Sequence, residues 1–388
     1  MLVQGVSVDQ KSQILTGCPA VRYHEERKVD SMTIYDSVND IKEMLFGEKG
    51  TAFDSLSTAI LDEVKNDRVH LPPQYMMMKI TNYCNSDCVY CNHAKSRYQN
   101  EVKQEIPLCR LLQIIDEAAA LGVKAISISG GEPLVRPDID RIVKRISEHH
   151  VVPVLLTNGY LLKQRARSLY ENGLRYFIIS LDSNDPDQYQ AQRGLDLDPV
   201  LEGMEAVREI MLQDDSVKLH ITPVITAKNL TQMPDMVEYY SERGISLQFS
   251  PYHRFVYHMK DELAEFNRDE VDTVIDRLIR MKKEGYRIAN STAFLEHFRS
   301  FMKEGKVVPD KYECLAGFST IYVDTYENVL PCWSGGLGVV DHLSNQSLSD
   351  IWYGETYAKM RRKMVKCQCP GCWLLCTGEL TMLITGQE

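Results

Sequence analysis

From residue 74 onward the chain alternates between two patterns. Apolar, β-rich runs at residues 75–81, 125–129, 151–157, 176–181, 218–226 and 245–250 read as strands. Between them, residues 108–121, 137–149, 161–172, 198–212 and 230–243 repeat apolar positions every three to four residues and read as helices. Strands alternating with helices predict a parallel sheet with right-handed crossovers, and six such units make a partial barrel. Function in such a sheet sits at the C-terminal ends of the strands. A further helix is expected at 269–284.

The flanks differ. Residues 1–73 hold polar stretches and one amphipathic region, 41–64, broken by Gly47 and Gly50. This predicts a small helical module ending at Pro72-Pro73. From about residue 309 the chain is cysteine-rich, with short strand-like runs at 320–324 and 329–332 and a helix near 348–364. The expected fold is therefore α/β, divided at 1–73, 74–308 and 309–388, with the partial barrel in the middle and a metal domain at the end.

Composition narrows the partners. The 388 residues are 44% hydrophobic and 25% charged, ordinary for a globular protein. A formal net charge of -10 disfavours nonspecific nucleic-acid or anionic-membrane binding, which wants a basic surface. No apolar run approaches the ~18 residues of a membrane span, and the N-terminus lacks a basic segment followed by a long apolar stretch. A cytoplasmic location is expected.

The eleven cysteines carry the chemistry. Cys84, Cys88 and Cys91 follow the first strand in Thr81-Asn82-Tyr83-Cys84-Asn85-Ser86-Asp87-Cys88-Val89-Tyr90-Cys91. Thiolate is the soft ligand of iron–sulfur clusters, and three thiolates fix three irons of a 4Fe–4S cubane while leaving the fourth iron open. Zinc competes, but it wants four ligands, and His93 alone offers a fourth nearby. Cys314, Cys332, Cys367, Cys369, Cys372 and Cys376 form a second group, while Cys18 and Cys109 stand apart as buried, inert thiols. In a chain without a secretory signal, such clustering favours metal over disulfides.

Gly130-Gly131-Glu132-Pro133 ends the second strand, Thr157-Asn158-Gly159 the third and Ser180-Leu181-Asp182 the fourth. Arg193-Gly194 lies beyond Asp185-Pro186. With the C-x3-C-x2-C spacing, this set resembles the radical S-adenosylmethionine (SAM) superfamily over residues 74–376. The resemblance implies a partial (β/α)6 TIM-like barrel whose open iron binds SAM, cleaved by one electron to a 5′-deoxyadenosyl radical that takes a hydrogen atom from substrate. It places the SAM amino group on the backbone of the glycine pair and on Glu132. Thr157, Asn158, Ser180 and Asp182 fall near the ribose and the methionine carboxylate, and Arg193 on that carboxylate. Two glycines permit close backbone approach, a carboxylate suits an ammonium, and arginine suits a carboxylate. Tyr90 and Val224 either pack on adenine or belong to the core, and Arg193 read alone is a surface charge.

The C-terminal region resembles the SPASM/twitch type of extension, which carries auxiliary 4Fe–4S clusters. Two departures stand out: glutamate at 327, where glycine is usual, and six cysteines, fewer than a full SPASM domain has. Two fully thiolate-ligated clusters need eight thiolates, so one auxiliary cluster is expected, on Cys314, Cys332, Cys369 and Cys372, with Cys376 able to replace either of the last two. Zinc is the alternative occupant of this group.

The resemblance implies a flavodoxin- or ferredoxin-type electron donor. Two substrate classes compete: a ribosomally made peptide that is crosslinked, epimerised or oxidised, and a small sugar or aminocyclitol that is oxidised or epimerised. No winged-helix leader-binding pattern is found in residues 1–73. Some family dehydrogenases carry an acid where Trp333 stands, so the catalytic base is unassigned. Tyr252-His253-Arg254-Phe255-Val256-Tyr257-His258 follows the sixth strand as a candidate for substrate contact, and His149-His150 as a helix-end pair. A noncatalytic iron–sulfur or zinc-binding interaction protein is the alternative of another class, against which the glycine–glutamate segment and the ribose-type residues argue.

Overall fold

A computed structural model describes residues 50–91, 105–253, 261–306, 313–333, 336–366, 368–369 and 371–387. Most of the expected N-terminal module, Cys18, His93, the 254–258 part of the aromatic–histidine run and Cys367 lie outside the described residues.

Helix α1 (Gly50–Asn66) precedes β1 (Tyr75–Thr81). The expected alternation follows as α2 (Leu108–Leu121), β2 (Ala125–Gly130), α3 (Ile139–Glu148), β3 (Val152–Thr157), α4 (Leu162–Glu171) and β4 (Tyr176–Ile179). It continues as α5 (Pro186–Arg193), α6 (Asp198–Met211), β5 (Lys218–Ile221), β6 (Val224–Ile225), α7 (Met233–Ser241), β7 (Ser246–Leu247) and β8 (Ser250–Pro251). Helices α8 (Arg268–Lys283) and α9 (Thr292–Glu304) complete this part. In α2, Leu111, Ile114, Ile115 and Ala118 bury one stripe against the sheet, and the helix stops at Gly122, whose φ of 105° suits glycine. Each such buried Leu or Ile contributes about 2 kcal/mol of transfer free energy.

Two expected strands are broken. The run over 218–226 divides at Thr222-Pro223, because proline has no N–H for the ladder. β5 ends there, and β6 pairs with β8 in a separate two-stranded sheet. The run over 245–250 splits likewise into β7 and β8. Helix α5 is an addition, although Asp185-Pro186 opens it and Gly194, at φ 67°, closes it.

The cysteine-rich segment forms α10 (Ala316–Ser319), β9 (Thr320–Val323), β10 (Asn328–Leu330), β11 (Asp341–His342), α11 (Leu348–Tyr353), α12 (Glu355–Val365) and α13 (Leu375–Ile384). The helix expected near 348–364 is two helices. A Cβ at Gly354 would lie 2.7 Å from the Asp350 carbonyl oxygen, so glycine takes the corner. Strand β9 pairs in parallel with β1, giving one nine-stranded sheet in the order β11-β10-β9-β1-β2-β3-β4-β5-β7. The sheet thus runs across the boundary expected near residue 309. Phe53 and Ile60 of α1 pack with Leu315, Phe318, Leu380, Leu383 and Ile384.

Glu327 has a positive φ of 65°, the conformation glycine takes at no cost. Its carboxylate accepts from Arg110 Nε at 2.8 Å, which offsets part of the strain. Cys109, expected to be buried, is exposed on α2. His149 closes α3 and bonds Asp116 Oδ1 at 2.8 Å, while Arg145 holds the same carboxylate.

The left-handed turn leads to a stability prediction. Glu327→Gly should stay within about 1 kcal/mol of the parent, because the strain and the half-exposed ion pair leave together, whereas Glu327→Val keeps the strain and should cost about 2 kcal/mol. Thermal melts of the two variants measure this, and equal losses would contradict it.

Candidate active site

One face of the barrel strands is set by their register. Met77 pairs with Ser127, Ser127 with Val154, Val154 with Tyr176, and Ile178 with His220. Since side chains alternate along a strand, these positions and those two residues away share the inner face. They enclose a chamber of about 340 Å³ that reaches from Cys84, Cys88 and Cys91 to Cys376 and Glu379 on α13. Its size falls in the range of small-molecule sites.

The cysteine loop is seated by backbone contacts. Gly131 N donates to Thr81 O at 2.7 Å and Glu132 N to Tyr83 O at 2.7 Å. A Cβ at Gly130 would lie 2.2 Å from Thr81 O, and one at Gly131 would lie 2.2 Å from Tyr83 O. The glycine pair is therefore required by the loop's own main chain, quite apart from any ligand. On the other side, Asp87 N donates to Arg193 O (3.1 Å), Val89 N to Gln192 O (2.9 Å) and Ser86 Oγ to Arg193 O (2.5 Å). Asn158 Nδ2 holds Asn85 Oδ1 at 2.7 Å, and Asn82 Nδ2 reaches Thr325 Oγ1 at 2.7 Å beside the β9–β10 turn.

Beneath the loop lies a buried ion pair. Arg193 Nε and Nη2 each donate to Asp182 at 2.8 Å. The Asp182 carboxylate also accepts from Tyr90 OH and from Val224 N, and the Arg193 guanidinium lies over the Tyr90 ring. Burial opposes the Arg193 charge, but Asp182, with Tyr90 and Cys88, more than offsets this and holds its pKa well above the ordinary value. This changes the expected roles. Asp182 is fully buried, its carboxylate accepts four hydrogen bonds from protein groups, and it lies behind the chamber wall rather than on it. Pro133 likewise is buried in the turn after β2.

Tyr90, Gly130, Gly131, Glu132, Thr157, Asn158, Ser180, Arg193 and Val224 do line the chamber, and so does Trp333. Glu132 Oε1 accepts from Thr157 Oγ1 (2.7 Å) and Leu134 N (3.0 Å), and Oε2 accepts from Asn158 N (2.7 Å). Burial raises its pKa, and these hydrogen bonds work the other way. The Cys84 thiol is pushed up to about 12, first by burial and then by Glu132, Cys88 and Cys91. Three sulfurs gathered in one protein pocket make a donor set that a cationic iron cluster would relieve by holding them as thiolates.

The second group assembles similarly. The Cys372 thiol is raised first by burial and then by Cys314, Cys332 and Cys369, so those three lie within electrostatic reach of it. Cys376 stands nearer the chamber, its sulfur 3.0 Å from Tyr322 OH. His253, a candidate for substrate contact, is buried and accepts from Trp373 N at 3.1 Å; burial pulls its pKa down to about 3, so it is a neutral brace for the C-terminal segment. Chamber residues that went unread in the sequence include His220, Gln248 and Glu379. Polar residues at alternate positions of Lys218-Leu219-His220-Ile221-Thr222 were the available signal for His220, and a single acid within Leu375-Cys376-Thr377-Gly378-Glu379-Leu380 for Glu379.

Comparison with known proteins agrees with this geometry. The radical SAM superfamily profile matches residues 78–240, and the SPASM iron–sulfur cluster-binding domain matches residues 314–373. A probable GTP 3′,8-cyclase of Thermococcus kodakarensis is 32% identical over 232 residues, which are 56% of this chain and 73% of that protein. The structure of Streptococcus suis SuiB bound to precursor peptide SuiA superposes with a TM-score of 0.60 at 17% identity, over 95% of this chain and 83% of that one. The SAM-bound structure of anSMEcpe gives a TM-score of 0.56 at 17% identity, over 76% of this chain and 83% of that one. The fold and the paired cysteine sets define an iron–sulfur enzyme that works on a parallel α/β barrel. The chain belongs to the radical SAM superfamily and carries a SPASM domain, so its cofactors are a SAM-binding 4Fe–4S cluster, SAM and an auxiliary 4Fe–4S cluster. Among the described residues no helix is long and apolar enough to cross a membrane.

Two substitutions probe the site's framework. Gly131→Ala should keep the far-UV spectrum but lose about half of the bound iron, since its Cβ would displace the cysteine loop; full iron content would contradict this. Asp182→Asn leaves the buried Arg193 charge without its partner and should cost about 3–5 kcal/mol in a denaturant titration.

Proposed function

We propose that the chain oxidises, crosslinks or epimerises an unactivated carbon of a peptide substrate held in the chamber. One observation carries the reading: a single chamber extends from the first cysteine set to α13, which follows directly on the second set. Cys84, Cys88 and Cys91 would hold the SAM-binding cluster, and Cys314, Cys332, Cys369 and Cys372 the auxiliary one. A cluster and SAM held by these residues would supply one-electron reductive chemistry leading to hydrogen-atom abstraction from substrate.

The protein's part is to bind, orient and exclude water. Glu132 has its acceptor capacity partly used by Thr157, Leu134 and Asn158, which fixes the carboxylate rigidly for the SAM ammonium. Ser180, Thr157 and Asn158 offer hydroxyl and amide groups to the ribose. Arg193 keeps one face toward the chamber while Asp182 sets its fork, so Asp182 acts through Arg193, Tyr90 and Val224. The inner face of the barrel, with Tyr75, Met77, Val154, Leu156 and Ile178, supplies apolar walls that keep water from a radical.

Relatives named GTP 3′,8-cyclase make a nucleoside triphosphate the competing substrate. The chamber's charges argue against it. Among the described residues that line it, Arg193 is the one cation and is engaged by Asp182; Lys79, next along the inner face from Met77, lies over the Trp333 ring at 4.0 Å with its pKa lowered by burial, while Glu132 and Glu379 are acids. A triphosphate needs several free cations or a metal clamp. The SuiB structure holds a precursor peptide on the same fold.

Anaerobic reconstitution tests the reading. About eight irons per chain are expected, and about four in Cys372→Ala. Reduced wild type should release 5′-deoxyadenosine from SAM and Cys88→Ala should not; identical behaviour of the two would sink the enzyme reading. GTP-dependent product formation in place of peptide modification would replace the substrate assignment.

A further inference from the structure

Helix α13 contributes Leu375, Cys376, Glu379 and Leu380 to the chamber wall, so one carboxylate stands in a largely apolar surface. Glu379 is 2% exposed. Its two oxygens accept from the Ser291 amide at 3.0 and 3.1 Å, and Ser291 is the N-cap of α9. Burial pushes the Glu379 pKa up to about 7, opposed by hydrogen bonds from Ser291, the charge of Lys282 and a hydrogen bond from Asn290.

The hydrogen-bonding partners are amides and a hydroxyl. None of the ion pairs formed among the described residues includes Glu379, and Lys282 acts at a distance, its ammonium donating to Ile288 O at 3.0 Å. A glutamine carbonyl could also accept the Ser291 N–H, through one oxygen in place of two, so accepting that bond alone does not require an acid here. A buried carboxylate ordinarily has a cation beside it. The chamber's other charges are engaged: Arg193 by Asp182, and Glu132 by three donors.

We infer that Glu379 receives a primary ammonium of the substrate, such as a lysine side chain, and thereby selects amine-bearing peptides. Leu374, Leu375 and Leu380 on the same wall would lie along the alkyl stem, as apolar surface commonly does beneath a lysine. The inference rests on reading the chamber as the substrate site. It assigns Glu379 a specificity role and leaves the radical chemistry to the other end of the chamber.

Equilibrium binding to the reconstituted full-length protein, with SAM present, tests it. The probes are N-acetyl-lysine methylamide and its uncharged twin N-acetyl-norleucine methylamide. Wild type should prefer the lysyl probe by about tenfold or more, and Glu379→Gln should erase the preference at unchanged iron content. Equal binding of the twins to wild type overturns the inference, as does a preference that survives in Glu379→Gln. Should the glutamine variant lose its iron, Glu379→Asp serves in its place; a reduced preference supports the assignment and an unchanged one contradicts it. Release of 5′-deoxyadenosine by the same wild-type preparation reports on the enzyme reading alone, so the two can fail separately.

Discussion

The close contact between the cysteine loop and the Gly130–Gly131 backbone is the constraint on which the site depends. No side chain larger than hydrogen fits at either glycine, because the carbonyls of Thr81 and Tyr83 occupy the space a Cβ would need. With the loop pinned there, the Glu132 carboxylate turns toward Thr157 and Asn158, and the end of α5 meets the far side of the loop through Gln192 and Arg193. Three strand ends and one helix end are thereby tied to a single eleven-residue segment. The three sulfurs inherit their spacing from that framework, not from contacts with one another.

Among the described residues, the one ion pair at the chamber wall presents only its Arg193 side, with Asp182 buried behind. The Asp182–Arg193 pair is sunk beneath the loop, where four hydrogen bonds satisfy the aspartate and stiffen Tyr90 and Val224. Breaking such a pair costs far more than its formation contributes, so it acts as a geometric lock. At the other end, α13 brings Glu379 to the wall, hydrogen-bonded to the Ser291 amide and outside the ion pairs formed among the described residues. A locked ion pair near the first cysteines and a hydrogen-bonded acid near the second make the two ends of the chamber chemically different.

Much of this was legible in the sequence because the relevant signals are local. The strand–helix alternation, the C-x3-C-x2-C loop and the strand-end motifs each lie within a dozen residues. What was not legible depended on contacts distant in sequence. The glycine pair reads as a ligand cradle until Tyr83 is found against it. Asp182 reads as a ribose ligand until Arg193, eleven residues later, turns out to hold it. Helix α13 shows no amphipathic stripe because it is buried on nearly all sides, so its one acid passed unnoticed. The division of the long runs at Thr222-Pro223 and at Gly354 follows from proline's missing donor and from crowding at a corner, both visible in the residue types but not in periodicity.

Mössbauer spectroscopy of protein reconstituted with isotopically enriched iron, recorded with and without SAM, tests the central claim most directly. One cubane held by three thiolates and one held by four predict that about one iron in eight changes its signal when SAM is added, while the rest do not move. A spectrum indifferent to SAM, with every iron already in a sulfur-complete environment, would contradict the account.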